Sequence, residues 1–458
     1  MTTIDQERQQ PDEAGESGEA GGRARRRQAF VPLGVAGIAA AAALAPGAAQ
    51  AQQTQQAQAG DPDDAQEAER ARRGVNRRFV YVGTYTKPNT APGGTKPSTA
   101  EGLYVFAMDT RTGALQPVQV VKDNPPDEPL PNPSWLTLDP SQTHLYATSE
   151  VSSWRGTANT GGVTAFSVDA TSGMLARLND QPSGGQIPAV VTPDPSGRYI
   201  VIGNYVGQPP DGTFAVLPIQ DNGQLGPATD VYPVTGTGPD RNRQEAPHPH
   251  DVKFDPAGKF IAGPDLGTDR IWVWTLNLGT GRLVPVPPPD PPYGQVAGGS
   301  GPRHMSFHPR KPYAYVIDEM VSSVTAFKYD PTRGTFIWLQ TVSTLPPRFS
   351  GHSSTAEIIV HPSGKWVYGS NRGHNSIVVY AIDQDTGKLD PVEWQSTQGE
   401  IPRGFNIDPS GTLLLAGNQN SDTIVPFHIN QATGRLRPTG HPTSTPVPVC
   451  IQFGRPVP

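Results

Sequence analysis

The chain carries one cysteine in 458 residues. Cys450 therefore has no partner for an internal disulfide, and dithiol redox chemistry is excluded. Its place in the apolar segment "VPVCIQF" predicts a buried, inert thiol. Outside the N-terminal arginines there is no basic stripe, and the net charge is -6, so a general attraction to nucleic acid is excluded. Long hydrophobic runs are also missing. The longest, Phe30 to Leu44, is about fifteen residues, short of the ~20 that a spanning helix needs. No Gly-x-Ser-x-Gly elbow is present and the cysteine has no evident base, which removes the usual grounds for covalent serine or cysteine catalysis.

Glycine and proline are abundant instead, at 50 and 51 residues. They fall between apolar segments such as "RYIVIGNY" rather than in one block, and so mark turns. Seven times a short hydrophobic segment runs into a polar turn with glycine and ends in Leu or Phe, at Gly113, Gly173, Gly223, Gly281, Gly334, Gly387 and Gly434. A period near 50 residues holding only strand and turn signals is that of radially repeated sheets, because one four-stranded unit cannot bury both of its faces alone. The expected fold is an all-β, seven-bladed β-propeller over residues 79–458, with about 54 residues per blade.

Ahead of the propeller, Arg23, Arg25, Arg26 and Arg27 precede the apolar run and a small-residue cleavage site after Ala51. Residues 1–51 are expected to be an export signal of twin-arginine type. The mature protein would then lie outside the cytoplasm, as a monomer with no membrane span. Residues 52–78, rich in Gln, Ala, Asp, Glu and Arg, read as a flexible linker.

A second marker, Asp-Pro or His-Pro, recurs at Pro140, Pro195, Pro256, Pro309, Pro362 and Pro409. The seventh copy is missing from the first unit, while an orphan strand, Val447 to Phe453, stands at the end of the domain. That strand is expected to be the innermost strand of the first blade and to close the ring. Six residues before each marker stand Ser134, Ala189, His250, Arg303, Ala356 and Arg403, with Val449 in the seventh place. Ten residues after it stand Glu150, Tyr205, Leu266, Glu319, Arg372 and Gln419, with Tyr85 from the first blade. Both registers are expected at one mouth of the central channel. Unpaired charges are costly there, so charged residues at repeat-equivalent positions need a reason.

The segments "HPHDVKFDPAG", "DLGTDRI", "GSGPRHMSFHP", "GSNRGHNSIVVY" and "LLLAGNQNSDTIVPF" resemble the seven-bladed propeller lactonase family, of 6-phosphogluconolactonase and carboxy-cis,cis-muconate cyclase type. The resemblance implies a catalytic set of His250, Arg303, Glu319 and Arg372, the residues that the repeat alignment isolates. His248, Arg403, His304 and Glu150 are the accompanying substrate-binding candidates. The arginines are suited to clamp an anion and to stabilise an oxyanion. Glu319 and His250 are the candidate proton-moving groups, each able to serve as acid or base if the mouth brings its pKa toward neutral. "HPH", with His304, His308 and Asp251 nearby, lacks the spacing of a metal site, so neither metal nor cofactor is expected.

The function expected is hydrolysis of a small anionic or polyol lactone. The alternatives are a lactonising cycloisomerase of muconate type and a non-catalytic binding propeller, since fold alone does not settle function.

Overall fold

The computed structural model describes residues 76–87, 98–122, 130–208, 211–286 and 294–458. The expected export signal, and the linker up to residue 75, lie outside them. Among the described residues every regular element is a strand. Among the described residues seven antiparallel sheets follow one another, five of four strands and two that add a short fifth strand to the same four-stranded path, each starting with its innermost strand. Blade 1 is the exception in sequence order: its innermost strand is Pro448–Pro456, which pairs with Arg77–Thr84 in the register Val82↔Ile451. The chain's last strand closes the ring, as the orphan segment predicts. The first strand starts at Arg77, two residues inside the expected linker.

Among the described residues the apolar core is divided rather than single. Seven apolar clusters each lie between two neighbouring blades. One joins Tyr315 and Ile317 of blade 5 to Val367 and Val378 of blade 6. The closing cluster joins Leu413 and Leu415 of blade 7 to Val80, Val82 and Ile451 of blade 1. A second strand such as Tyr313–Asp318 is buried along its whole length because blades cover both faces. An outermost strand such as Thr335–Ser343 is partly exposed throughout. Burial on both faces explains why the inner strands are continuously apolar while the outer ones are mixed.

Both sequence markers have local causes. The seven repeat glycines have φ between 67 and 80°, the left-handed region that costs glycine least. At Gly387 a Cβ would also lie 2.4 Å from the Tyr313 ring of the preceding blade, and the Gly387 carbonyl accepts the Tyr315 hydroxyl at 3.1 Å. The turn is thus a joint between blades. The acid of each Asp-Pro caps a hairpin: Asp194 Oδ1 accepts the N–H groups of Arg198 and Tyr199 at 2.8 and 2.6 Å. In the His-Pro blades, His308 Nε2 reaches the Gly364 carbonyl of the next blade at 2.9 Å, and His361 Nε2 reaches that of Gly411 at 2.7 Å.

Two devices aim side chains at the axis. The residue two before the axial position has positive φ in five blades, at Asn132, Ile187, Gly301, Ile401 and Val447. For Ile and Val this is a strained conformation, which persists only where the surroundings over-determine it. Its carbonyl ties the two axial registers together: Gly301 accepts the Glu319 N–H at 2.8 Å and Ile401 accepts that of Gln419 at 3.0 Å. The ladder then shifts register at the axial residue itself, between Pro302 and His304 in blade 5 and between Pro402 and Gly404 in blade 7. A bulge of this kind re-aims side chains.

Candidate functional site at the channel mouth

The geometry is built around Glu319. Its Oε2 accepts a hydrogen bond from Arg303 Nε at 2.9 Å and lies 2.8 Å from Arg372 Nη2. Its Oε1 accepts from Arg243 Nη2 at 2.7 Å. Three guanidinium groups from three different parts of the chain therefore converge on one buried carboxylate. Burial alone would raise the Glu319 pKa, but Arg372, Arg303, His250 and Arg243 outweigh it and hold the carboxyl well below its usual range. The conditional expectation of a shift toward neutral is therefore corrected for Glu319: the field of the arginines dominates its desolvation.

Arg303 and Arg372 keep donors in reserve. Arg303 spends Nε on Glu319 and Nη1 on His304 and the Ala356 carbonyl. Arg372 gives Nη2 to the Thr355 carbonyl at 2.6 Å, while its Nε is buried with no hydrogen-bond partner among the described residues. Burial, with Arg403 and Arg372 close by, pushes Arg303 down to about 9, which leaves it a cation at neutral pH.

His250 stands beside this cluster, its ring 5.3 Å from that of Tyr205 and 5.2 Å from that of His304. Its Nδ1 is buried without a partner among the described residues. Burial, reinforced by Arg303 and His304, holds its pKa well below 6.5. A neutral imidazole with an unspent polar atom is costly to keep, by roughly 1–3 kcal/mol; it is free to accept a proton, but the burial and cations that keep it neutral lower its basicity, so the expected shift toward neutral is not found for His250 either.

The other candidates take distinct places. His248 stacks on Tyr205 at 4.5 Å, gives Nδ1–H to the Tyr205 carbonyl at 2.8 Å, and has Glu245 3.3 Å from Nε2. Half-buried Arg403 lies over the Tyr85 ring at 5.2 Å, and the Tyr85 hydroxyl donates to both Glu150 oxygens, at 3.0 and 2.8 Å. His304 lies behind Arg303 with both ring nitrogens engaged, one by Arg303 and one by Glu357 at 3.0 Å. Among the described residues no cluster of His, Cys, Asp and Glu is arranged to hold a metal ion.

Two residues escape the sequence argument. Arg243 sits in the segment between Asp230–Val234 and Lys253–Phe254, outside the repeat, and no periodic signal points to it. Glu357 follows the axial Ala356 as the already expected His304 follows Arg303; a second axial register, read one residue later, would have found it. Below the mouth a cavity of about 200 Å³ opens on the axis, lined by Trp135, Lys253, Glu357, Asn406, Cys450 and Gln452 among others. The mouth gathers four arginines, Arg243, Arg303, Arg372 and Arg403, against three carboxylates, Glu319, Glu150 and Glu245. It is a cationic site on an acidic protein, fit for a substrate that is anionic or that develops an oxyanion.

The family model for the seven-bladed beta-propeller lactonases matches residues 79–453. The 6-phosphogluconolactonase of Bacillus subtilis is 35% identical over 373 residues, covering 81% of this chain and 97% of its own length. That of Formosa agariphila is 31% identical, covering 72% of this chain and 86% of its own. The solved structure of the Pseudomonas aeruginosa periplasmic gluconolactonase superposes with a TM-score of 0.73 at 28% identity, covering 83% of this chain and 100% of that one.

Proposed function

Since the chain belongs to the seven-bladed β-propeller lactonase family, we propose that it hydrolyses a small sugar-type lactone at the Glu319 mouth. The observation that carries this reading is the convergence of three arginines on one buried carboxylate beside a neutral, unpartnered imidazole. Glu319 stays ionised and aligns the guanidinium groups. Their remaining N–H groups bind the lactone carbonyl and stabilise the negative charge that develops on its oxygen. His250 takes a proton from water as the water oxygen bonds to the carbonyl carbon. The bond from that carbon to the ring oxygen then breaks, the ring oxygen receives the proton back, and a hydroxy acid leaves. Tyr85, Glu150 and His248 offer polar atoms along the rim for a polyol or an acidic group. The leader pattern, together with the periplasmic name of the P. aeruginosa relative, supports action outside the cytoplasm.

The test is proton release by the full chain acting on a lactone panel, phosphorylated and plain, with a chelator present, beside Arg303→Ala and Glu319→Gln proteins. Release that vanishes in both variants while circular dichroism shows each of them folded supports the reading. Wild-type turnover in both sinks it. Turnover of an open diacid without any lactone hydrolysis would assign the site to the reverse, cycloisomerising direction.

A further inference from the structure

An arginine N–H can only donate. The 3.0 Å contact between Arg303 Nη1 and His304 Nε2 therefore requires a bare lone pair on Nε2, which places the His304 proton on Nδ1. That Nδ1–H points to Glu357 Oε1, 3.0 Å away, and Oε1 also accepts the Ile358 N–H at 3.0 Å. Arg303, His304 and Glu357 thus form a directional chain that runs from the mouth to the axial cavity, whose wall includes Glu357. The opposite tautomer would set two N–H groups against each other and detach Arg303 from its support.

We propose that His304 and Glu357 are positioning residues: a buried couple that fixes the Arg303 guanidinium and makes its hold depend on the protonation of Glu357. Its activity readout rests on the lactonase reading; the couple itself does not.

The groups facing Glu357 are Lys253 of blade 4 (itself paired with Asp251), Arg303 and His304 of blade 5, Arg403 of blade 7 and Cys450 of the closing strand. Burial pushes the Glu357 carboxyl up to about 7, against the pull of Lys253, Arg303, the Ile358 N–H and Arg403. Burial keeps His304 neutral well below 6.5 and raises the Cys450 thiol to about 12. Glu357 is therefore the member of the couple that titrates near neutrality. As the pH rises through 7 its carboxylate forms and the bond from His304 Nδ1–H becomes charge-assisted. Nε2 then becomes a better acceptor, and Arg303 is held more firmly.

Two measurements on the full chain decide this. In protein with ¹⁵N-labelled histidines, assigned by comparison with His304→Asn, long-range ¹H–¹⁵N correlation at pH 8 should show His304 protonated on Nδ1 and bare on Nε2. Its shifts should change with a midpoint near pH 7 without ring protonation, and that step should disappear in Glu357→Gln. For lactone turnover, Glu357→Gln should lower kcat by about five- to tenfold at pH 8, leave KM nearly unchanged, and remove a shallow rise centred near pH 7. An Nε2–H tautomer, or a wild-type kcat and pH profile in Glu357→Gln, overturns the proposal. If Glu357→Gln does not fold, the tautomer and titration of wild-type His304 decide alone. If no lactone is turned over, the lactonase reading fails while the tautomer still tests the couple.

Discussion

Arg243 Nη2 meets Glu319 Oε1 at 2.7 Å from the connection between Asp230–Val234 and Lys253–Phe254. The contact completes the ring of cations around the carboxylate. Burial works against the Arg243 charge, but Glu319 and Tyr205 outweigh it and raise its pKa. Arg243 is also the most exposed member of the cluster, so it can be removed without leaving a buried charge of its own.

Arg243→Ala is therefore expected to fold normally and to lose about 10- to 100-fold in kcat/KM, with Arg243→Lys recovering part of it because a point charge replaces the fork. Steady-state kinetics and a melting curve on each variant check this. Wild-type kinetics in the alanine variant would show that Arg303 and Arg372 suffice to organise Glu319.

Glu319→Gln should be far more damaging to stability, because it strands buried guanidinium groups; breaking such a buried pair typically costs about 3–5 kcal/mol. The pH dependence has a definite sign. The folded-state pKa is depressed, so the stabilisation is fully present above the unfolded value near 4.5 and is lost as the pH falls through the depressed folded value. The gap in Tm between wild type and Glu319→Gln should be wide at pH 7 and narrow steadily below about pH 4. A gap that stayed constant down to pH 2.5 would mean that the Glu319 charge contributes nothing.

His250→Asn should separate function from stability. The buried Nδ1 has no partner among the described residues, so little stability depends on it, whereas loss of a general base costs about 10²–10⁴ in rate. The depressed imidazole pKa also puts the main acid limb of kcat/KM below pH 6.5, beneath the shallow step assigned to Glu357. A main limb at or above pH 7 would remove His250 from the role of base.

Deleting residues 447–458 should abolish cooperative unfolding, because blade 1 would lose its innermost strand and the cluster between blades 7 and 1 would lose Ile451 and Phe453. Circular dichroism melts of the full and shortened chains test it. A sharp transition retained at the original temperature would refute closure by this strand.

The fold was legible because its markers are local chemistry repeated from blade to blade: a glycine, seven times, that adopts positive φ against the preceding blade, and an acid or imidazole, six times, that ties a turn. The axial cluster was legible because repeat position converts to place around the ring, and His250, Arg303, Glu319 and Arg372 do converge. The rest was hidden for physical reasons. Arg243 belongs to no repeat. Glu357 reaches the axis region because a bulge breaks the alternation of its strand, so a period-two reading turns it away. That Glu319 would be held ionised depends on the distances between side chains, which spacing along the chain does not supply.

The closing strand has a mechanical consequence. Arg77–Thr84 and Pro448–Pro456 run antiparallel, with Arg78 opposite Pro456, so the backbone leaving the domain at either end does so from the same edge of one ladder. Tension applied to those two ends falls on one pair of hydrogen bonds at a time and peels the ladder open, instead of shearing all its bonds together. The clasp that closes the ring is in this geometry loaded as a zipper by a pull on its two ends.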